Sequence, residues 1–221
     1  MTWPPQILRV LSITTAVLLV SSGCGRGEDP ELSQAPPPEP VTFSLADFEV
    51  FPDDGDWSAT DGGGFRSGGL PKGYVYSRRP IGDGTLRLSY RFEATDDADA
   101  PPPNTGLLLF IEEPHKKWPV CVEVQGKQPE AGRVKANGGR PDPQTLHDEE
   151  ALATAVNPPG EWNDLEVQLR DESLAVRLNG RLTASAIVAD WADGPFGLQA
   201  EGNVVEFRDV TFTEGIVEES R

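Results

Sequence analysis

Residues 158–180 read Pro-Pro-Gly-Glu-Trp-Asn-Asp-Leu-Glu-Val-Gln-Leu-Arg-Asp-Glu-Ser-Leu-Ala-Val-Arg-Leu-Asn-Gly. Leu165, Val167 and Leu169 occupy every second position, and Leu174, Val176 and Leu178 repeat the pattern. Successive side chains of a strand point to opposite faces, so each run turns one apolar face inward and one polar face outward. A helix would instead need apolar residues three and four apart. Asn179-Gly180 then closes the second run with the dipeptide preferred in tight hairpin turns, whose central residues both take positive φ. The stretch predicts half-buried antiparallel strands.

The same signature extends outward in both directions. Leu86, Leu88, Tyr90 and Phe92 alternate with Arg87, Ser89, Arg91 and Glu93, giving a strand with one solvated face, while Gly106 to Ile111 is continuously apolar, as in a strand buried on both faces. Val120–Gln125, Phe196–Gln199 and Val204–Phe212 complete the set, and no segment shows a capped helical period. Many short strands separated by Gly, Pro and Asp predict an all-β fold, an antiparallel two-sheet β-sandwich. Two long loops are expected, Asp96–Asn104 and Gly126–Asn157, either as binding loops or as insertions.

The N-terminus reads as an export signal. Arg9 is the only charge before the apolar run Val10–Val20, which is too short for a bilayer needing about 20 residues. Ser21-Ser22-Gly23-Cys24 then resembles a bacterial lipoprotein cleavage site, with Cys24 lipidated, although Ser21 replaces the usual leucine; an ordinary secretory signal cut nearby is the alternative. Residues 1–23 are thus a signal peptide and 24–40 a lipidated, Pro-rich tether reaching about 50 Å at ~3.1 Å per residue. The sandwich domain is set at 41–214 and a frayed tail at 215–221.

The intact chain carries a net charge of −17, and removal of Arg9 with the signal makes it −18. So acidic a chain lacks the basic clusters that phosphate backbones require, which argues against nucleic acid and leaves the lipid as the attachment to the membrane of the cell envelope. With Cys24 lipidated, Cys121 has no disulfide partner, and its place in Val120-Cys121-Val122 makes it a buried thiol rather than a nucleophile. A domain of this size can hold together by burying roughly 70% of its unfolded surface.

Several motifs resemble the 3-keto-disaccharide hydrolase family, also described as 3-keto-glucoside lyase/hydratase domains. They are Glu161-Trp162-Asn163, Gly197-Leu198-Gln199, Val205 to Val210, Glu123-Val124-Gln125, and Asn104-Thr105-Gly106 in place of the family's Asn-Ser-Gly. The resemblance reaches from about Phe48 to Glu214 and implies a concanavalin A-like jelly roll. Where family members carry a histidine before their Asn-Gly turn and an Asp-His-Gly after Gly-Leu-Gln, this chain reads Val176-Arg177-Leu178 and Ala200-Glu201-Gly202. Mechanisms using those histidines do not transfer.

The family's implied chemistry starts from a ketone at C3, which acidifies the C2 hydrogen. A base removes it, the anomeric oxygen leaves by β-elimination, and water adds to the enone; such a site needs a base, an enolate stabiliser and an acid. The candidates are Glu123 or Glu201 as base, Arg177 for the enolate, Gln125 and Gln199 for hydroxyls, Asn104 in the family motif, and Trp118 for stacking on a sugar ring. Trp162 reads first as an edge cap. His115 and His147 lack ligand spacing, so neither a metal nor another cofactor is expected. Two functions remain in play, net hydrolysis of 3-keto-glycosides and noncatalytic carbohydrate binding or adhesion on the same sandwich; an ordinary two-carboxylate glycosidase is also compatible with separated carboxylates.

Overall fold

A computed structural model describes residues 38–96, 102–189, 191 and 193–215. The signal peptide, Cys24 and most of the tether and tail lie outside these residues, as does part of the Asp96–Asn104 loop. Among the described residues no helix is long and apolar enough to cross a membrane.

Two antiparallel sheets face each other. The larger comprises β1 (Val41–Thr42), β3 (Trp57–Ala59), β4 (Phe65–Ser67), β6 (Gly84–Phe92), β10 (Gln144–His147), β11 (Asn163–Arg170), β12 (Ser173–Leu178), β13 (Arg181–Ile187) and β15 (Val205–Glu214), in the order β10-β13-β12-β11-β6-β15-β4-β3 with β1 on β15. The smaller comprises β2 (Phe48–Phe51), β5 (Gly73–Ser77), β7 (Gly106–Leu109), β8 (Cys121–Gln125), β9 (Val134–Asn137) and β14 (Gly197–Ala200), in the order β2-β5-β14-β7-β8-β9.

The core lies between them. Leu86, Leu88, Tyr90 and Phe92 of β6, with Leu165, Val167, Leu169, Leu174, Val176 and Leu178, join Val75, Leu107, Leu109, Val122, Val124 and Leu198 of the smaller sheet in one buried cluster. The period-two runs therefore face inward as their spacing predicts. In β15 the apolar positions Val205, Phe207, Val210 and Phe212 break that period. A register shift between Arg208 and Thr211, with Asp209 at φ 53°, inserts an extra residue so that all four remain buried.

The quoted stretch forms β11, β12 and the turn after them. Asn179 and Gly180 take φ 49° and 80°, the hairpin conformation expected of Asn-Gly. The preceding turn uses Asp171 and Glu172 at φ 47° and 61°, without glycine. Asn163 is buried; its Oδ1 accepts from Asn157 N at 2.8 Å and from Asn179 Nδ2 at 2.9 Å. The guanidinium groups of Arg91 and Arg208 lie over the Trp162 ring, 4.6 and 4.0 Å from its centroid. The Glu-Trp-Asn motif thus fastens a loop to the larger sheet.

The Gly126–Asn157 stretch contains β9, β10 and a helix, α1 (Glu149–Ala155). Asp148 caps it by accepting from Ala151 N at 2.9 Å, and Glu149 and Glu150 sit in the first turn, where they favour the positive end of the helix dipole. Ala151, Leu152 and Ala155 are buried. Seven residues hold too few turns for an apolar period to emerge from the sequence.

Candidate functional site

The outer face of the larger sheet is a field of cross-strand ion pairs. Glu166 stands opposite Arg87 on one neighbour and Arg177 on the other, with N···O distances of 2.9 and 4.0 Å. Glu206 likewise pairs with Arg91 at 2.6 Å. Arg177 is therefore turned to this face by the alternation of β12, away from every other predicted site residue. A depression of about 400 Å³ here contains Arg177, Glu166 and Arg87. A second of about 660 Å³ lies between β10, β12 and β13, and Arg170 is the one charged residue that lines it. The former sets two arginines against three carboxylates, Glu166, Asp164 and Asp209, and holds no other predicted site residue than Arg177, and the latter has no carboxylate to move a proton.

The outer face of the smaller sheet differs. Strands β7, β8 and β14 are buried at every residue, although only alternate side chains enter the core. The other side chains form rows set by the register. One row runs Phe51, Tyr74, Gln199, with Gly106 opposite Gln125 beyond it; the next runs Glu49, Tyr76, Gly197, Leu108, Glu123, Lys135. The loop 112–120 contributes to this face, where His115 Nδ1 lies 3.0 Å from Tyr74 Oη and its ring 4.0 Å from that of Tyr76.

Gly106 has a specific reason to be glycine. A Cβ there would lie 2.5 Å from Gln199 Oε1 and 2.8 Å from Glu123 Oε1, so both side chains fold over the bare backbone. Gln199 and Glu123 are 1% and 3% exposed. Glu123 Oε2 accepts from Asn137 Nδ2 at 3.0 Å and lies 3.6 Å from Lys135 Nζ. Burial raises the Glu123 carboxyl above its ordinary pKa; Lys135 pulls it down and Glu201 pushes it further up. Burial likewise raises Glu201, against Lys72, Lys135, Lys127 and Lys117.

Asn104 Nδ2 donates to Glu201 Oε2, and Asn104 N donates to Asn203 Oδ1 at 3.2 Å. Asn104 Oδ1 and Gln199 Oε1 are buried without a hydrogen-bond partner among the described residues. Such an oxygen inside a protein costs free energy unless a donor reaches it, and a ligand hydroxyl is a suitable donor. Gln125 Oε1 is already engaged, accepting from Lys127 N at 2.8 Å. Trp118 is 42% exposed on the loop 112–120, with Lys117 Nζ 5.8 Å from its ring centroid. Cys121 is fully buried, and burial pushes its thiol up to about 12.

The fold thus gathers Asn104, Glu123, Gln125, Gln199 and Glu201 on one face and leaves Arg177 on the other sheet. Sequence reasoning missed Lys135 and Asn137, because β9 falls in a stretch without apolar period, and also Tyr74 and His115. Its one available signal was the distribution of lysine: all five in the chain lie between Lys72 and Lys135. Among the described residues no group of three or more His, Cys, Asp or Glu is placed to hold a metal ion.

Two packed antiparallel sheets with a row of buried polar groups outside the smaller one define a concanavalin A-like jelly roll. The chain belongs to the 3-keto-alpha-glucoside-1,2-lyase-like domain family, whose model matches residues 44–213. This membership gives it a carbohydrate-related function. Among solved structures it is similar to two candidate glycosyl hydrolases from Parabacteroides distasonis ATCC 8503. The first has a TM-score of 0.58 and 17% identity over 80% of this chain and 100% of that one. For the second the TM-score is 0.55, with 19% identity over 78% and 90%. The carbohydrate-binding module CBM66 from Bacillus subtilis follows at TM-score 0.50 and 14% identity, over 76% and 96%. These likenesses are of fold. No curated protein sequence matches the chain.

Proposed function

We propose that the protein cleaves 3-keto-glycosides or 3-keto-disaccharides by elimination and hydration, on the outer face of the smaller sheet. The observation that carries this reading is the Glu123 carboxylate 3.6 Å from the Lys135 ammonium. In a 3-keto sugar the acidic C2 hydrogen and the C3 oxygen sit on adjacent carbons, so a base and a cation at that spacing match the two atoms that change. Glu123 takes the C2 proton as charge develops on the C3 oxygen, and Lys135 stabilises that charge. The C1–O bond to the leaving group breaks, Glu201 protonates the departing oxygen, and a C1=C2 bond conjugated to the ketone remains. Water then adds at C1 with its proton passing to Glu201, while Glu123 returns a proton to C2. Both carboxyl groups end in their starting states. Gln199 Oε1 and Asn104 Oδ1, unpartnered among the described residues, accept from sugar hydroxyls.

Incubation with a 3-keto-disaccharide and its unoxidised parent tests this, following released sugar and the enone's ultraviolet absorbance. The keto form alone is expected to be cleaved through a transient enone. Cleavage of both forms would favour an ordinary two-carboxylate glycosidase, and binding of sugar without turnover of either would make the domain a carbohydrate-binding module.

The protein is also proposed to be exported and held in the cell envelope by lipid on Cys24. Cys24→Ser is expected to move it from the membrane fraction to the soluble one. Continued membrane association of the variant would remove the lipid anchor from the reading.

A further inference from the structure

The chain's two kinds of cation are segregated. Each of the eleven described arginines has a carboxylate oxygen within 4.0 Å, from Arg66 with Glu93 to Arg208 with Asp209. Among the described residues only Lys135 of the five lysines is so paired, with Glu123. Arginine neutralises the acidic exterior in place, and lysine is kept for one region.

That region is the face just described. Lys135 stands on β9 opposite Glu123. The stem of Lys72 packs beside Gly202, with its Cε 3.5 Å from where a Cβ on that glycine would lie, next to Glu201. Lys127 lies two residues past the end of β8, its backbone N held by Gln125 Oε1 at 2.8 Å. Lys116 and Lys117 lie on the loop 112–120, with Lys116 Nζ bonded to Gly138 O at 2.9 Å just past β9. Lys72, Lys135, Lys127 and Lys117 all act on the Glu201 carboxyl. The carboxylates on or beside the same face include Glu123 and Glu201, with Glu49, Glu113 and Asp53 towards Tyr76 and His115 and Glu112 towards Cys121.

One ammonium suffices for an enolate. Lys72, Lys117 and Lys127 have no described carboxylate within ion-pair distance and act in common on Glu201, so in a protein of net charge −17 they leave a local excess of positive charge that would attract an anionic group on a ligand. We infer that this site takes an acidic saccharide, a sugar carrying a carboxylate or sulfate, with its charged substituent held between Lys72, Lys117 and Lys127 while Gln199 and Asn104 accept from its hydroxyls. The inference rests on the same sugar site as the proposed reaction and adds the charge of the substrate. The buried orphan oxygens mark where the neutral part of the sugar binds, independently of the lysines.

Calorimetric titration of the full chain tests it with four probes: cellobiose, its glucuronic acid counterpart, its 6-sulfate, and sodium sulfate. The acidic disaccharides are expected to bind at least tenfold more tightly than cellobiose at low salt. Raising the salt to 0.5 M should erase that preference, as screening weakens attraction between exposed charges. The double variant Lys72→Gln/Lys127→Gln should lose the preference while keeping its affinity for cellobiose, which also shows that it is folded. A uronate preference without a sulfate preference, or the reverse, identifies which anion is meant; both support the inference. Equal binding of neutral and acidic disaccharides overturns it and leaves the proposed reaction standing, as does binding of sodium sulfate with no preference among the sugars. Absence of binding by every saccharide removes the sugar site itself, and the inference with it.

Discussion

Glu123→Gln is expected to lower the turnover of a 3-keto-disaccharide roughly 100- to 10,000-fold, the span that a positioned general base supplies. The variant keeps the side chain's shape and its acceptor oxygen for Asn137, whose Nδ2 lies 3.0 Å from Glu123 Oε2. It loses the capacity to take a proton and the negative charge 3.6 Å from Lys135 Nζ. Stability should move the other way. The Glu123 carboxyl is raised above its ordinary value, chiefly by burial, so ionising it opposes folding. A group with a raised folded-state pKa contributes its full stability below the unfolded value, about 4.3 for glutamate, and loses it as pH rises through the folded value. At pH 8 the neutral glutamine avoids that loss, and at pH 4 the two proteins should unfold alike. Thermal unfolding at both pH values, beside turnover, checks the pair of expectations. An inactive variant that melts well below the native protein at pH 8 would indicate a structural role for Glu123, and retained activity would exclude it as the base.

Phe196→Ala should act on the fold first. Its side chain is fully buried, and its ring meets Phe43 and Phe48 edge-on at centroid distances of 5.0 and 5.4 Å. Removing a buried aromatic ring forfeits its transfer free energy and leaves a cavity, typically costing about 3–5 kcal/mol. For a domain of this size, that corresponds to a fall in Tm of roughly 6–20 °C. The backbone of Phe196 also exchanges hydrogen bonds with Ser77, its O accepting at 2.7 Å and its N donating at 3.1 Å to Ser77 Oγ, immediately before the strand that carries Gln199. Weakened sugar binding should therefore accompany the lost stability. Leu146→Ala, at a side chain 75% exposed, is the control, with an expected change within about 0.5 kcal/mol. A Phe196→Ala protein that unfolds like the native one would contradict the packing described between the sheets.

The sandwich is legible in the chain's residue pattern because the information needed is local. A period-two run such as Leu165, Val167, Leu169 states both that a strand forms and which face it buries, and Asn179-Gly180 fixes a turn through the φ values those residues tolerate. The alternation of β8 also showed that Glu123 and Gln125 share a face. Composition could not show which sheet owned each face. Glu123 and Arg177 both alternate outward from apolar runs, yet one stands beside Lys135 and the other opposite Glu166, on different sheets. Strand order decides this, and it depends on pairings between residues far apart in the chain, such as β14 with β5 and β7. Lys135 and Asn137 stayed hidden for a related reason, since β9 has no apolar period and is a strand because β8 pairs with it. The local pattern is set by each residue's own burial. The site is set by which strands become neighbours, and only tertiary packing, which buries Glu123 against Lys135 and closes Gln199 over Gly106, settles that.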